Sequence, residues 1–78
     1  GVDADEVREK QALIERIKNI RQKLGLTQTS LAKKAGVTQG RIAQIESGIG
    51  TSMISFDVLL HLLTVMGYHF RIVSTKAA

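Results

Sequence analysis

An all-α domain of four or five helices, closed by a short carboxyl-terminal β-strand that pairs across a dimer, is the fold this sequence predicts. Three observations carry that expectation. Apolar residues recur at intervals of three and four through most of the 78 residues. Each apolar stretch opens near Asp, Thr or Ser and stops at a glycine, as capped helices do. Over 68–73 the apolar interval falls to two, which suits a strand. A chain of this length makes one domain, and the absence of proline leaves every helix interior unbroken.

The elements follow in order. Asp3 and Glu6 have the spacing of a capping box, and a long first helix follows with Leu13, Ile17, Ile20 and Leu24 on one side, joined by Val7 and Ile14. Gly25 ends it through a left-handed cap. Thr27 caps a second helix, Gln28–Ala35, with Leu31 and Ala35 inward, and Gly36 closes it. Thr38 caps a third helix that runs to Glu46 or Ser47, after which Gly48 and Gly50 mark a loop. Ser55 starts a fourth helix, apolar on most of its surface through Phe56, Leu59, Leu60, Leu62, Leu63 and Met66, and Gly67 ends it.

In the tail, Tyr68, Phe70 and Ile72 alternate with His69, Arg71 and Val73. A lone strand leaves backbone donors and acceptors without partners, and the same strand of a second copy supplies them across a twofold axis. The fourth helix also carries more apolar surface than a three-helix core covers. Phe56, His61, Tyr68, Phe70 and Ile72 are therefore the candidate dimer contacts. The organisation expected is an acidic arm or helix start over 1–8, a compact domain over 9–67, and a strand and tail over 68–78 that dimerise.

Composition narrows the function. A small core usually needs a staple, and the absence of cysteine removes disulfides and thiolate metal sites. His61 and His69 have no acid at ligand spacing on a shared face, so neither metal nor cofactor is expected. No apolar run approaches the roughly 20 residues of a membrane span, since 58–66 is interrupted by His61 and Thr64. The amino terminus is acidic and polar, unlike a secretory signal, and a cytoplasmic protein is expected. An enzyme is not: Asp57 precedes His61 with no nucleophile in register, and there is no glycine-rich phosphate loop. The net charge of +4 is unevenly spread. Arg16, Lys18, Arg21, Lys23, Lys33, Lys34 and Arg41 fall between Glu15 and Glu46, a basic middle that suits a polyanion.

One spacing set carries more. Counting from Gln28, alanine stands four positions on at Ala32, glycine eight on at Gly36, and isoleucine at fourteen and seventeen, Ile42 and Ile45. A small Ala32 lets the third helix cross closely, and Gly36 supplies the positive φ of a sharp turn. Ile42 and Ile45 plug the third helix into the core, and Val37 seals the corner. With those isoleucines inward, Gly40, Ala43, Gln44 and Ser47 point outward, Gln39 sits at the helix start and Arg41 lies on the flank. Such a pair of helices lays one across a DNA backbone and the next in the major groove.

Leu24-Gly25-Leu26-Thr27-Gln28, Leu31-Ala32-Lys33-Lys34-Ala35-Gly36-Val37-Thr38-Gln39 and Ile42 with Ile45-Glu46-Ser47-Gly48 resemble the Cro/phage-repressor (XRE-type) helix-turn-helix family over about residues 16–67. The resemblance implies a lambda-repressor-like domain that binds operator double-stranded DNA as a homodimer, usually to repress transcription. It implies base contacts from Gln39, Gly40, Arg41, Ala43 and Gln44; a glutamine amide suits adenine and Ala43 a thymine methyl. Phosphate contacts are implied for Gln28 at its helix start, with Thr38, Lys33 and Ser47 beside it. Arg21 and Glu46 are implied to form a buried ion pair that orients the third helix. The tail from Met66 to Val73 is similar to antitoxins of the HipB and HigA type, which implies a cognate toxin as a further partner. The competing readings are a free-standing phage or restriction–modification regulator and a protein-interaction module that does not bind DNA.

Overall fold

The computed structural model describes residues 4–69. They form α1 (Ala4–Lys23), α2 (Gln28–Ala35), α3 (Gln39–Ser47), a 3-10 helix (Thr51–Met53) and α4 (Phe56–Val65). No strand occurs among the described residues. The expected strand over 68–73 lies almost wholly outside them; Tyr68 and His69, which are described, are not in regular structure.

Local chemistry sets the helix ends. Thr27, Thr38 and Ser55 each take an extended backbone and accept a hydrogen bond from an N–H in the first turn of the helix that follows. The far ends of α1, α2 and α4 share one bonding pattern. The N–H groups of Leu26, Val37 and Tyr68 donate to the carbonyls of Arg21, Ala32 and Leu63 at 3.0 Å, and the preceding glycine closes a shorter ring inside each. In α1, Asp5 and Glu6 lie in the first turn and Arg21 and Lys23 in the last, so its charges complement the helix dipole.

Every helix contributes to one core. Ile14, Ile17 and Ile20 enter from α1, Leu31 and Ala32 from α2, Ile42 and Ile45 from α3, and Leu59, Leu62 and Leu63 from α4, with Ile54 and Met66 beside them. α3 packs on α2 and α1, while α4 packs on α1 and α2.

Several expectations are corrected. Leu24 is 49% exposed, because α1 stops at Lys23 and its last turn swings the side chain away from the core. Val37 is also exposed, and the corner is closed by its backbone bond to Ala32 instead. α4 has no large apolar surplus. It lies against two helices at once, so Val58, Leu60 and Val65 pack on the core beside its buried leucines. The loop after α3 holds the unforeseen 3-10 helix, where the buried Thr51 donates its hydroxyl to the Gly48 carbonyl at 2.7 Å. Lys10 is buried too: Nζ donates to the Ser52 carbonyl at 3.5 Å and lies 5.3 Å from the centre of the half-buried Phe56 ring.

Gly36 has φ 73°, while Gly40 lies inside α3, and a Cβ at either would meet nothing within 4 Å. Backbone conformation alone then decides the two alanine substitutions. Gly36→Ala is expected to destabilise by about 1–2 kcal/mol, and Gly40→Ala to stabilise by about 0.5–1 kcal/mol. Urea unfolding with an unchanged m-value is the measurement. Equal midpoints for the two variants would contradict the account of the turn.

Candidate nucleic-acid interface

The starts of α2 and α3 are brought together by the turn at Gly36. Thr27 Oγ1 accepts from Ser30 N at 3.0 Å, and Thr38 Oγ1 accepts from Arg41 N at 3.1 Å. Gln28 and Gln39 open their helices and meet directly: Gln39 Nε2 donates to Gln28 Oε1 at 2.8 Å. Gln28 Nε2 donates in turn to Glu46 Oε1 at 3.1 Å.

Beneath them lies an ion pair with side chains only 10% (Arg21) and 4% (Glu46) exposed. Arg21 Nε donates to Glu46 Oε2 at 2.6 Å, Nη2 to Oε1 at 3.0 Å, and Nη1 to the Leu26 carbonyl at 2.8 Å. The guanidinium therefore joins α1, the turn before α2, and the last turn of α3. A bidentate pair of this kind fixes orientation as well as proximity.

The outer face of α3 is polar and sterically open. Gln39, Gly40, Gln44 and Ser47 are exposed, whereas Arg41 and Ala43 are half-buried. Arg41 Nη1 donates to Gln44 Oε1 at 3.4 Å, a long bond that a better partner can displace. Ser47 is engaged in closing its own helix: Oγ donates to the Gln44 carbonyl at 2.6 Å and accepts from Ile49 N at 3.1 Å. Lys33 is exposed on α2.

Of the candidate dimer residues, Phe56, His61 and Tyr68 are described. Phe56 is occupied by Lys10, and His61 Nε2 lies at hydrogen-bond distance, 3.1 Å, from the Ala35 carbonyl at the end of α2. Tyr68 is exposed; Phe70 and Ile72 fall outside the described residues. Ile49 and Met53, which sequence reasoning passed over, are 75% and 87% exposed in the loop after α3. The signal available was that neither fits the apolar face of any helix. The link through Gln28 was also missed, since nothing in the spacing of Gln28, Gln39 and Glu46 announces that their side chains meet.

Chemically, the site is an array of amide donors and acceptors flanked by cations. Among the described residues no group of three or more His, Cys, Asp or Glu side chains could hold a metal ion, and no helix is long and apolar enough to cross a membrane. Two helices joined at a tight turn, with the second presenting an open polar face, define a helix-turn-helix DNA-binding domain. The comparison with protein families agrees: a family described as helix-turn-helix matches residues 17–73, more than half of the chain. The chain belongs to this Cro/phage-repressor type of helix-turn-helix family, a family of DNA-binding transcription-regulator domains. Neither the comparison with curated proteins nor that with solved structures found a match.

Proposed function

We propose that the protein is a sequence-specific regulator that binds operator DNA as a homodimer and represses transcription. The observation that carries the reading is the open amide face of α3, held from beneath by the buried Ile42 and Ile45 and tied at its first residue to the first residue of α2. Gln39 and Gln44 read base edges, Gly40 and Ala43 allow close approach, and Arg41 takes a guanine or a phosphate. Gln28, Thr38 and Lys33 hold the backbone, aided by the amino-terminal dipole of α2. Ser47 joins them through the turn it stabilises. Dimer contacts come from the segment beyond residue 67 with Phe56 and His61 alongside, and the similarity of that segment to HipB- and HigA-type tails adds a cognate toxin as a further partner.

The deciding experiment is footprinting to find the operator, followed by titration on a duplex carrying both half-sites. Two chains per duplex are expected, with affinity falling steeply as salt rises. Gln44→Ala should lose about 1–3 kcal/mol of discrimination at one base position. Lys33→Ala should weaken operator and unrelated duplex alike and lower the salt slope by about one. A Gln44→Ala variant that treats every duplex as the parent does would remove α3 from base readout.

A further inference from the structure

The Gln28 amide stands between a group that can only accept and the amide of Gln39. The Glu46 carboxylate, held by Arg21, offers no proton, so the side of Gln28 facing it at 3.1 Å must be the NH2 group. The Gln28 carbonyl oxygen is thereby turned to Gln39, and at 2.8 Å it accepts only if Gln39 in turn faces it with its own NH2. One N–H and the carbonyl oxygen of Gln39 are left for an external partner. Turning Gln28 over would set its carbonyl oxygen against a carboxylate oxygen in a site largely closed to water. The direction of the whole series is set by the buried ion pair.

We propose that Glu46 is a positioning residue for specificity, fixing through Gln28 the orientation of the Gln39 amide so that Gln39 selects adenine over guanine. The inference rests on the reading that α3 lies in the major groove. A neighbouring donor and acceptor match N7 and N6 of adenine, whereas guanine presents two acceptors, N7 and O6, and calls for two donors. Discrimination at the base pair facing Gln39 is then about 5- to 150-fold, the fold-change equivalent of one good bidentate contact.

Glu46→Gln is the direct test. The new amide can keep its oxygen on Arg21 Nε and turn its NH2 toward Gln28, giving up the bond from Arg21 Nη2, which reverses both glutamines and presents the two N–H groups of Gln39 to the groove. The adenine-to-guanine affinity ratio at that position is expected to fall to one or below. Gln28→Met breaks the series while leaving Arg21 and Glu46 paired, so its ratio should drop without inverting. The melting temperature is measured alongside, because a merely structural role would move it and leave the ratio unchanged; Gln28→Met also gives up a phosphate contact, which lowers affinity for every duplex together and leaves the ratio as the readout. If Glu46→Gln does not fold, Gln28→Met decides. A parental ratio in Gln28→Met, or in a folded Glu46→Gln, overturns the proposal, provided Gln39→Ala flattens discrimination at that position. A Gln39→Ala variant with parental discrimination everywhere overturns the placement of α3 beneath it.

Discussion

Glu46→Ala is expected to destabilise the folded chain by about 3–5 kcal/mol, the usual consequence of leaving one member of a buried ion pair without its partner. The guanidinium of Arg21 would lose the acceptors of Nε and Nη2 and keep only the Leu26 carbonyl on Nη1. With that side chain 10% exposed, water reaches it poorly. A domain of this size has a total stability of only about 4–12 kcal/mol, so the variant should be substantially unfolded at physiological temperature. The fall in melting temperature should be at least roughly 12 °C. The double variant Arg21→Met/Glu46→Leu should recover most of the loss, because apolar residues of similar volume often replace a buried pair at little cost. Recovery would mean that the pair is kept for orientation rather than stability. A single variant within about 1 kcal/mol of the parent would show that the ion pair is hydrated and weak, as exposed pairs are.

Helix boundaries were legible because they are set by neighbours in sequence. A hydroxyl three residues before the N–H it accepts from, or a glycine just past the last turn, can be seen in the string itself, and Thr27, Thr38, Ser55 and Gly36 stand where such residues belong. The inward face of α3 was legible for the same reason, since Ile42 and Ile45 are one turn apart. Contacts between distant residues were not. Lys10 falls at the apolar spacing of α1, between Val7 and Ile14, but the sequence does not show what covers a cation there; Ser52 and Phe56, more than forty positions away, supply a carbonyl and a ring. The surplus expected of α4 came from assuming that a helix buries one face; packing between α1 and α2 buries more. Leu24 fits the apolar spacing of α1 and still faces out, because spacing is informative only while the helix lasts. In the site, the residue types of α3 were legible, and the bonds from Glu46 through Gln28 to Gln39 were not.

Ile42→Ala carries the second largest expected loss, about 2–5 kcal/mol, from three deleted carbon atoms and the cavity they leave. Ile42 is fully buried, and Ile45 is the one other buried apolar residue of α3. A helix of that length has almost no stability by itself in water, so its order depends on this packing. The loss should therefore be uneven. Amide hydrogen exchange across α3 should accelerate more than across α1, whose core residues Ile14, Ile17 and Ile20 remain in place. Ile42→Val, which removes one carbon, should cost about 0.5–1.5 kcal/mol and leave the exchange pattern close to the parent's. Binding separates this effect from base readout. If the cavity acts only by loosening α3, Ile42→Ala weakens every duplex together and a lower temperature restores part of the affinity, whereas Gln44→Ala changes the ranking of duplexes at any temperature. Uniform acceleration of exchange in Ile42→Ala would mean that the domain opens as one unit, with α3 no more loosely held than α1.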